Sequence, residues 1–412
     1  MRHRVGPRHA RRPAPTLLRG IYLPRSMDAG AHAMTTFGIP LLVLATTNSA
    51  VLTGVAFALE WVPRLAAFAL AGAMVDRYGA SPVFRTASVL RALTVVAAAL
   101  ALPYSDGVGA TVTVMLLAAS TGVLSEFSYI AAETAGGAAS RAAGSRAHRV
   151  QSVLLGIDQV GTLAGPALAG LLLERYGATG MLTVIAGFSL LAGLLAPRQR
   201  DGRAAGLPEP VMKGLRTGWS TMRSLPALCW LVVGLTLSNL AVGLLQAAAP
   251  VIVIQHMGRS SADVGMIWSV AAVATLVAVA LWRRAIDRYG LWPVGAVAAA
   301  IAATTCLAVT LTHTYTTYLV LIAVLMAAEG GMTVMLRTLR SHLIPASAFG
   351  STLALSALIL LAPFPVAGVL IALTPPTLLV HVMTGCAVLQ AVGLAVTFAR
   401  LRAAPGLRTA LA

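Results

Sequence analysis

The sequence predicts an all-α membrane protein of twelve transmembrane helices built as two six-helix repeats, and three observations carry that prediction. Hydrophobic residues make up 58% of the 412 and charged residues only 10%, with a mean hydropathy of +0.83. A water-facing domain carries roughly a quarter charged residues, so too little charge is present to coat one. Apolar runs long enough to cross a ~30 Å hydrocarbon core recur along the whole length, and the first six echo in the last six.

The predicted spans are 22–44, 50–75, 86–103, 110–140, 150–173 and 179–196, then 226–254, 262–282, 291–311, 315–336, 350–373 and 377–399. One long polar interval, 197–225, separates the two sets. Within it, Val211 to Arg223 has the pattern of a short amphipathic helix lying on the membrane surface. The domain organisation that follows is an arm at 1–21, an N-terminal half at 22–196, the central loop, a C-terminal half at 226–399 and a tail at 400–412.

The halves read as copies. Asp76-Arg77-Tyr78-Gly79-Ala80-Ser81-Pro82-Val83 matches Asp287-Arg288-Tyr289-Gly290-Leu291-Trp292-Pro293-Val294 at an offset of 211, and Gly54 and Gly265 each stand 22 residues before the repeated Asp. Pro40 and Pro250 correspond one residue out of register.

Orientation follows from the cations. With an even number of crossings both termini share one side, and 27 of the 30 Lys and Arg fall there, Arg91 being counted with the 2–3 loop. The opposite loops hold Arg175 and Arg259, and Arg64 lies within a span. By the positive-inside rule the rich side is cytoplasmic, which predicts a multi-pass protein of the inner membrane with both termini in the cytoplasm.

Several function classes are excluded. The net charge of +17 comes from 29 Arg and Lys213 placed mostly between apolar runs, so topology accounts for it and no nucleic-acid partner is expected. Cys229, Cys306 and Cys386 lie inside apolar runs, with spacing for neither a disulfide framework nor a metal. No GxxxxGK[ST] sequence and no Ser/His/Asp constellation occurs, so no enzyme activity and no cofactor are expected. The basic residues 1–20 read as a cytoplasmic arm rather than a targeting segment, because Asp28 and His32 interrupt the apolar run that follows.

Two motifs resemble those of the major facilitator superfamily. Gly72-Ala73-Met74-Val75-Asp76-Arg77-Tyr78-Gly79 is similar to the signature GxLaDRxG, although Ala80 and Ser81 stand where basic residues usually follow and Arg85 is the next cation. Asp287-Arg288-Tyr289-Gly290 resembles the degenerate second copy. Gly161-Thr162-Leu163-Ala164-Gly165-Pro166-Ala167-Leu168-Ala169-Gly170 is similar to the antiporter motif GxxxGPxxGG, with Ala169 replacing one glycine. The stretch Phe37 to Gly54, running into Leu59-Glu60-Trp61-Val62-Pro63-Arg64, most resembles the branch of macrolide-efflux pumps and enterobactin-type siderophore exporters. The resemblance implies a monomeric secondary transporter that exports a small organic molecule by proton antiport. It also implies that Asp76 approaches the positive start of helix 11 near Gly350 in one state, with Arg77 pairing across the halves.

Ionisable residues deep in a bilayer are functional candidates by default. Glu60 is ten residues into the second span, about 15 Å at ~1.5 Å per residue. Arg64 follows at i+4, with Pro63 between them, and either pairs with Glu60 or serves the site. Glu126 lies mid-depth in the fourth span with Tyr129 near it and Glu133 closer to the cytoplasm; no cation shares that span, so Glu126 either borrows Arg64 or is protonated. It is the expected coupling acid, although the superfamily's usual helix-4 arginine is missing. Asp28 with His32, and Asp158, occupy the cytoplasmic thirds of spans 1 and 5, facing either substrate or loop arginines. Glu329 shares a face with Arg337, and Asn239 and Gln246 share one on span 7. Asp28 with His32 also admits a ferroportin-like metal cargo. The rival readings are therefore an importer or uniporter of a metal chelate or metabolite, and a non-transporting sensor or assembly factor.

Overall fold

The computed structural model describes residues 17–142, 147–198, 211–345 and 348–403. The expected arm up to residue 16, Ser145, Gly206 and the tail from 404 lie outside these. Thirteen helices follow in order: α1 Leu23–Thr47, α2 Ala50–Tyr78, α3 Ala80–Ala101, α4 Val108–Ala142, α5 Ala147–Leu195, α6 Val211–Ser224, α7 Pro226–Pro250, α8 Ser261–Tyr289, α9 Leu291–Thr310, α10 Tyr315–Leu343, α11 Phe349–Leu361, α12 Pro363–Leu373 and α13 Leu379–Ala403.

Among the described residues eleven continuous helical segments are long and apolar enough to cross a membrane, and one of them is bent into two arms. At 49 residues α5 would measure roughly 74 Å if straight. It turns back at Gly177, where φ +66 and ψ −169 lie in a region open essentially to glycine alone. Two arms, before and after that corner, bring the count to twelve. A single crossing, Ser351–Leu373, is in turn shared by α11 and α12, which join at Ala362 ahead of Pro363. α3 begins at Ala80, six residues before the predicted span. Ser81 and Arg85 end the apolar window but not the helix, because hydropathy reports depth in lipid and not helix length.

The same corner closes the repeated motif in both halves. Gly79 has φ +92 and ψ +156, and Gly290 has φ +88 and ψ +163, each linking two helices with no intervening loop. Glu174-Arg175-Tyr176-Gly177 is a third acid-Arg-Tyr-Gly corner, at the opposite face, which the sequence reading overlooked.

The halves meet through α2 against α12, α5 against α8 and α1 against α7. Their closest approaches all lie at the end away from the termini, the distal end. A Cβ on Gly54 would sit 2.6 Å from the Ala372 nitrogen, and one on Gly368 would sit 2.6 Å from the Ala58 nitrogen. Gly265 lies directly on the Pro166 carbonyl and Gly170 on that of Ser261. Small residues here admit backbone-to-backbone packing, as at many helix contacts in membranes. Ala167 N–H donates to Ser269 Oγ (3.1 Å), and Glu174 Oε2 accepts from Ala262 N–H (3.1 Å) at the start of α8. Towards the terminal end the halves part. The buried residues of α8 all fall within Val264–Ala271, and from Ala272 to Tyr289 none is buried. Among the described residues the distal end is sealed and the terminal end stands open.

Candidate functional site

One face of α1 carries Arg25, Asp28 and His32 at spacings of three and four, so that they stack on adjacent turns. One face of α4 likewise carries Glu126, Tyr129 and Glu133. With Glu60 and Arg64 of α2, these rows converge inside the N-terminal half around three guanidinium groups.

Arg64 is the innermost. Its Nε donates to Glu126 Oε2 at 2.8 Å, its Nη2 lies 3.4 Å from His32 Nε2, and its guanidinium is 4.5 Å from the Trp61 ring centre. Of the two acids able to claim Arg64, Glu126 holds it. The pair within α2 is therefore not formed: Glu60, 2% exposed, has a buried Oε2 without a hydrogen-bond partner. The reason is geometric. Gly122 has no side chain, so α4 lies directly on the Glu60 backbone carbonyl and delivers Glu126 to the guanidinium.

Arg91 corrects the sequence reading, which counted it with a loop. It is wholly buried, with Nη2 donating to Asp28 Oδ1 at 2.6 Å and further bonds to Ser189 (2.9 Å), Ser125 (3.3 Å) and Ser128 (3.2 Å). Three hydroxyls and a carboxylate satisfy it, which is what a buried cation requires. Asp28 thus faces Arg91 rather than a loop arginine. Nearer the terminal end, Arg25 donates from Nε and Nη2 to the two oxygens of Asp158 (both 2.9 Å) and from Nη2 to Glu133 (2.7 Å). Its guanidinium lies 5.1 Å from the Tyr129 ring centre, and Tyr129 in turn stacks on His32 at 6.3 Å. A continuous row of polar side chains therefore runs from Asp158 and Glu133 inward to Glu60. It holds five acids against three guanidiniums among the described residues, an excess of negative charge.

Aromatic pairs close the row distally and bridge the halves. Trp61 stacks on Phe364 at 4.4 Å and Phe37 meets Trp268 at 5.6 Å.

In the C-terminal half Glu329 accepts a short hydrogen bond from Ser238 Oγ, to which Gln390 Nε2 also donates (2.6 Å). The expected shared face with Arg337 brings no pairing. Arg337 is exposed two turns on, while Glu329 is buried against α7 and α13. Asn239 Nδ2 donates to the Leu360 carbonyl (2.7 Å) beside the α11–α12 joint, so it ties helices together, and Gln246 stays half-buried on α7. Gly161 and Gly165 pack on the α1 backbone at Ala29 and Ala33, while Pro166 and Gly170 face α8. Gly72 has open space beside it, and Asp76 lies in the last turn of α2. Arg77 and Arg288 lie over the adjacent Tyr78 and Tyr289 rings (5.1 and 5.3 Å); Asp287 is exposed and Arg85 half-buried. Arg25, Arg91, Ser238 and Gln390 were missed by sequence reasoning. For Arg25 the signal was present, as the cation one helical turn before Asp28; for Arg91, on another helix, it was not.

Solved structures share this fold. A nucleoside transporter, NupG, superposes with a TM-score of 0.73 at 12% identity, over 93% of this chain and 99% of that one. A bacterial homologue of the iron transporter ferroportin in an inward-facing state gives 0.72 at 17%, over 92% and 98%. A bacterial homologue of the lysosomal transporter Spinster, also inward-facing, gives 0.67 at 14%, over 95% and 97%. No curated protein sequence matches the chain. Residues 26–362 match the family model of the Major Facilitator Superfamily: the chain is a membrane transporter and belongs to that superfamily.

Proposed function

We propose that the protein is a proton-coupled exporter of a small organic solute, with Glu60 as the coupling carboxyl. The observation that carries this is the partnerless Glu60 oxygen one turn from an arginine already held by Glu126. A buried carboxylate with one oxygen unpartnered at this depth is costly, so a proton on Glu60 stabilises the empty site. Arrival of a solute with positive charge or hydrogen-bond donors replaces that proton, and rocking of the halves exposes Glu60 to the other side for reprotonation. The coupling role assigned from sequence to Glu126 passes to Glu60 because Glu126 has its cation. Excess acid favours a cationic or neutral solute over an anion, and the row ends distally at the aromatic pairs Trp61–Phe364 and Phe37–Trp268, an apolar floor against which an organic group would rest. Metal cargo has less support, since Asp28 and His32 are engaged by Arg91 and Arg64.

The test uses vesicles with an imposed pH gradient. Glu60→Gln should abolish uphill transport while solute exchange, which moves no net proton, persists with a weaker apparent affinity for the solute. Uphill transport at the wild-type rate would sink the assignment.

A further inference from the structure

We propose that the terminal-side end of α13, clamped between α7 and α9, is a binding site for the headgroup of an anionic phospholipid. The clamp is built from both sides. Thr397 Oγ1 donates to the Trp230 carbonyl (3.2 Å) in α7, and Trp292 Nε1 donates to the Phe398 carbonyl (3.3 Å) from the first turn of α9. Gly234 makes room for Thr397, and Phe398 and Leu401 are buried, so the last turns of α13 are fixed in place.

Two exposed guanidiniums emerge from that fixed turn, each over an indole. Arg400 lies 5.4 Å from the Trp230 ring centre and Arg402 lies 5.7 Å from that of Trp292. Neither belongs to an ion pair among the described residues. A guanidinium resting on a ring keeps its N–H donors in its own plane, where they suit the oxygens of a phosphate. Tryptophan at the end of a membrane span sits at headgroup depth. Cations, ring faces and depth therefore coincide in one place. The neighbouring α8–α9 corner also carries Arg288 over Tyr289, but Asp287 beside it offsets that charge, so the site is assigned to Arg400 and Arg402.

Because Trp230 and Trp292 belong to the site, tryptophan fluorescence reports on it in a Trp219→Phe, Trp282→Phe background, where Trp61 and Trp268, the two other tryptophans, are buried. The purified protein in detergent micelles would be titrated with phosphatidylglycerol or phosphatidylcholine bearing brominated chains, which quench on contact. Each basic side chain near an anionic headgroup gives roughly a fivefold preference. Wild type should therefore reach half-quenching at an at least ~5-fold lower concentration of the anionic lipid. Arg400→Gln with Arg402→Gln should bring the two lipids to parity, with thermal unfolding checking the fold. Arg283→Gln with Arg284→Gln, at the same end of α8 but on no ring, should keep the preference. Excess soluble glycerol phosphate should not reverse quenching by the lipid. Equal quenching of wild type by both lipids overturns the proposal. So does an equal loss in the Arg283/Arg284 variant, which indicates a diffuse field, or displacement by glycerol phosphate, which indicates a small-anion site.

Discussion

Glu60 and Glu126 are separated by a single guanidinium, and their substitutions should fail in different ways. Removing the acid that Arg64 holds leaves a buried cation uncompensated, at a cost of about 3–5 kcal/mol. Glu126→Gln should accordingly lower thermal stability and insertion yield, whereas Glu60→Gln should fold normally and lose coupling. Equal melting temperatures for the two variants would mean that Arg64 is satisfied by Glu60 in solution. The burial of these acids was legible in the sequence because so few charges interrupt the apolar spans. Their partners were not. Arg91 looks like a loop cation until α3 is seen to start at Ala80, which carries it three turns into the bundle among Ser125, Ser128 and Ser189.

Helices were legible as apolar windows, and the corners that join them as glycines after Arg-Tyr. At Gly79, Gly177 and Gly290 any side chain meets backbone strain of roughly 1–3 kcal/mol. Gly290→Ala should lower stability by that amount in thermal unfolding, more than Gly72→Ala, where space is open. What a motif's glycines touch is not written in the motif. Those of α5 divide their contacts between α1 in their own half and α8 in the other. Gly170→Ala should therefore wedge the distal seal apart at Ser261 and raise the reactivity of a cysteine placed at Phe37 towards impermeant reagents on the distal side. Unchanged labelling would show that the seal absorbs the extra methyl.

At the scale of the whole molecule, the repeat at an offset of 211 predicts two like halves and the cation split predicts their sidedness. Cysteines at Ser145 and Gly206 should react only with reagents that reach the cytoplasm, and one at Asp106 should react from outside intact cells. Outside labelling of Gly206 would reverse the orientation. Which end stands open was not legible, because one sequence must serve both postures. The distal seal also decides who reaches the seat first. Backbone-on-backbone contacts at Gly54, Gly170 and Gly265, with Glu174 fastened to the start of α8, form a door that opens only when all part together. A compound offered from the distal side must wait for the halves to part there, and its apparent affinity falls with the fraction of time the door stands open. One arriving from the terminal side meets no such delay. The same molecule should therefore look like a good ligand from one face of the membrane and a poor one from the other, and Glu174→Gln, by loosening the door, should narrow the difference.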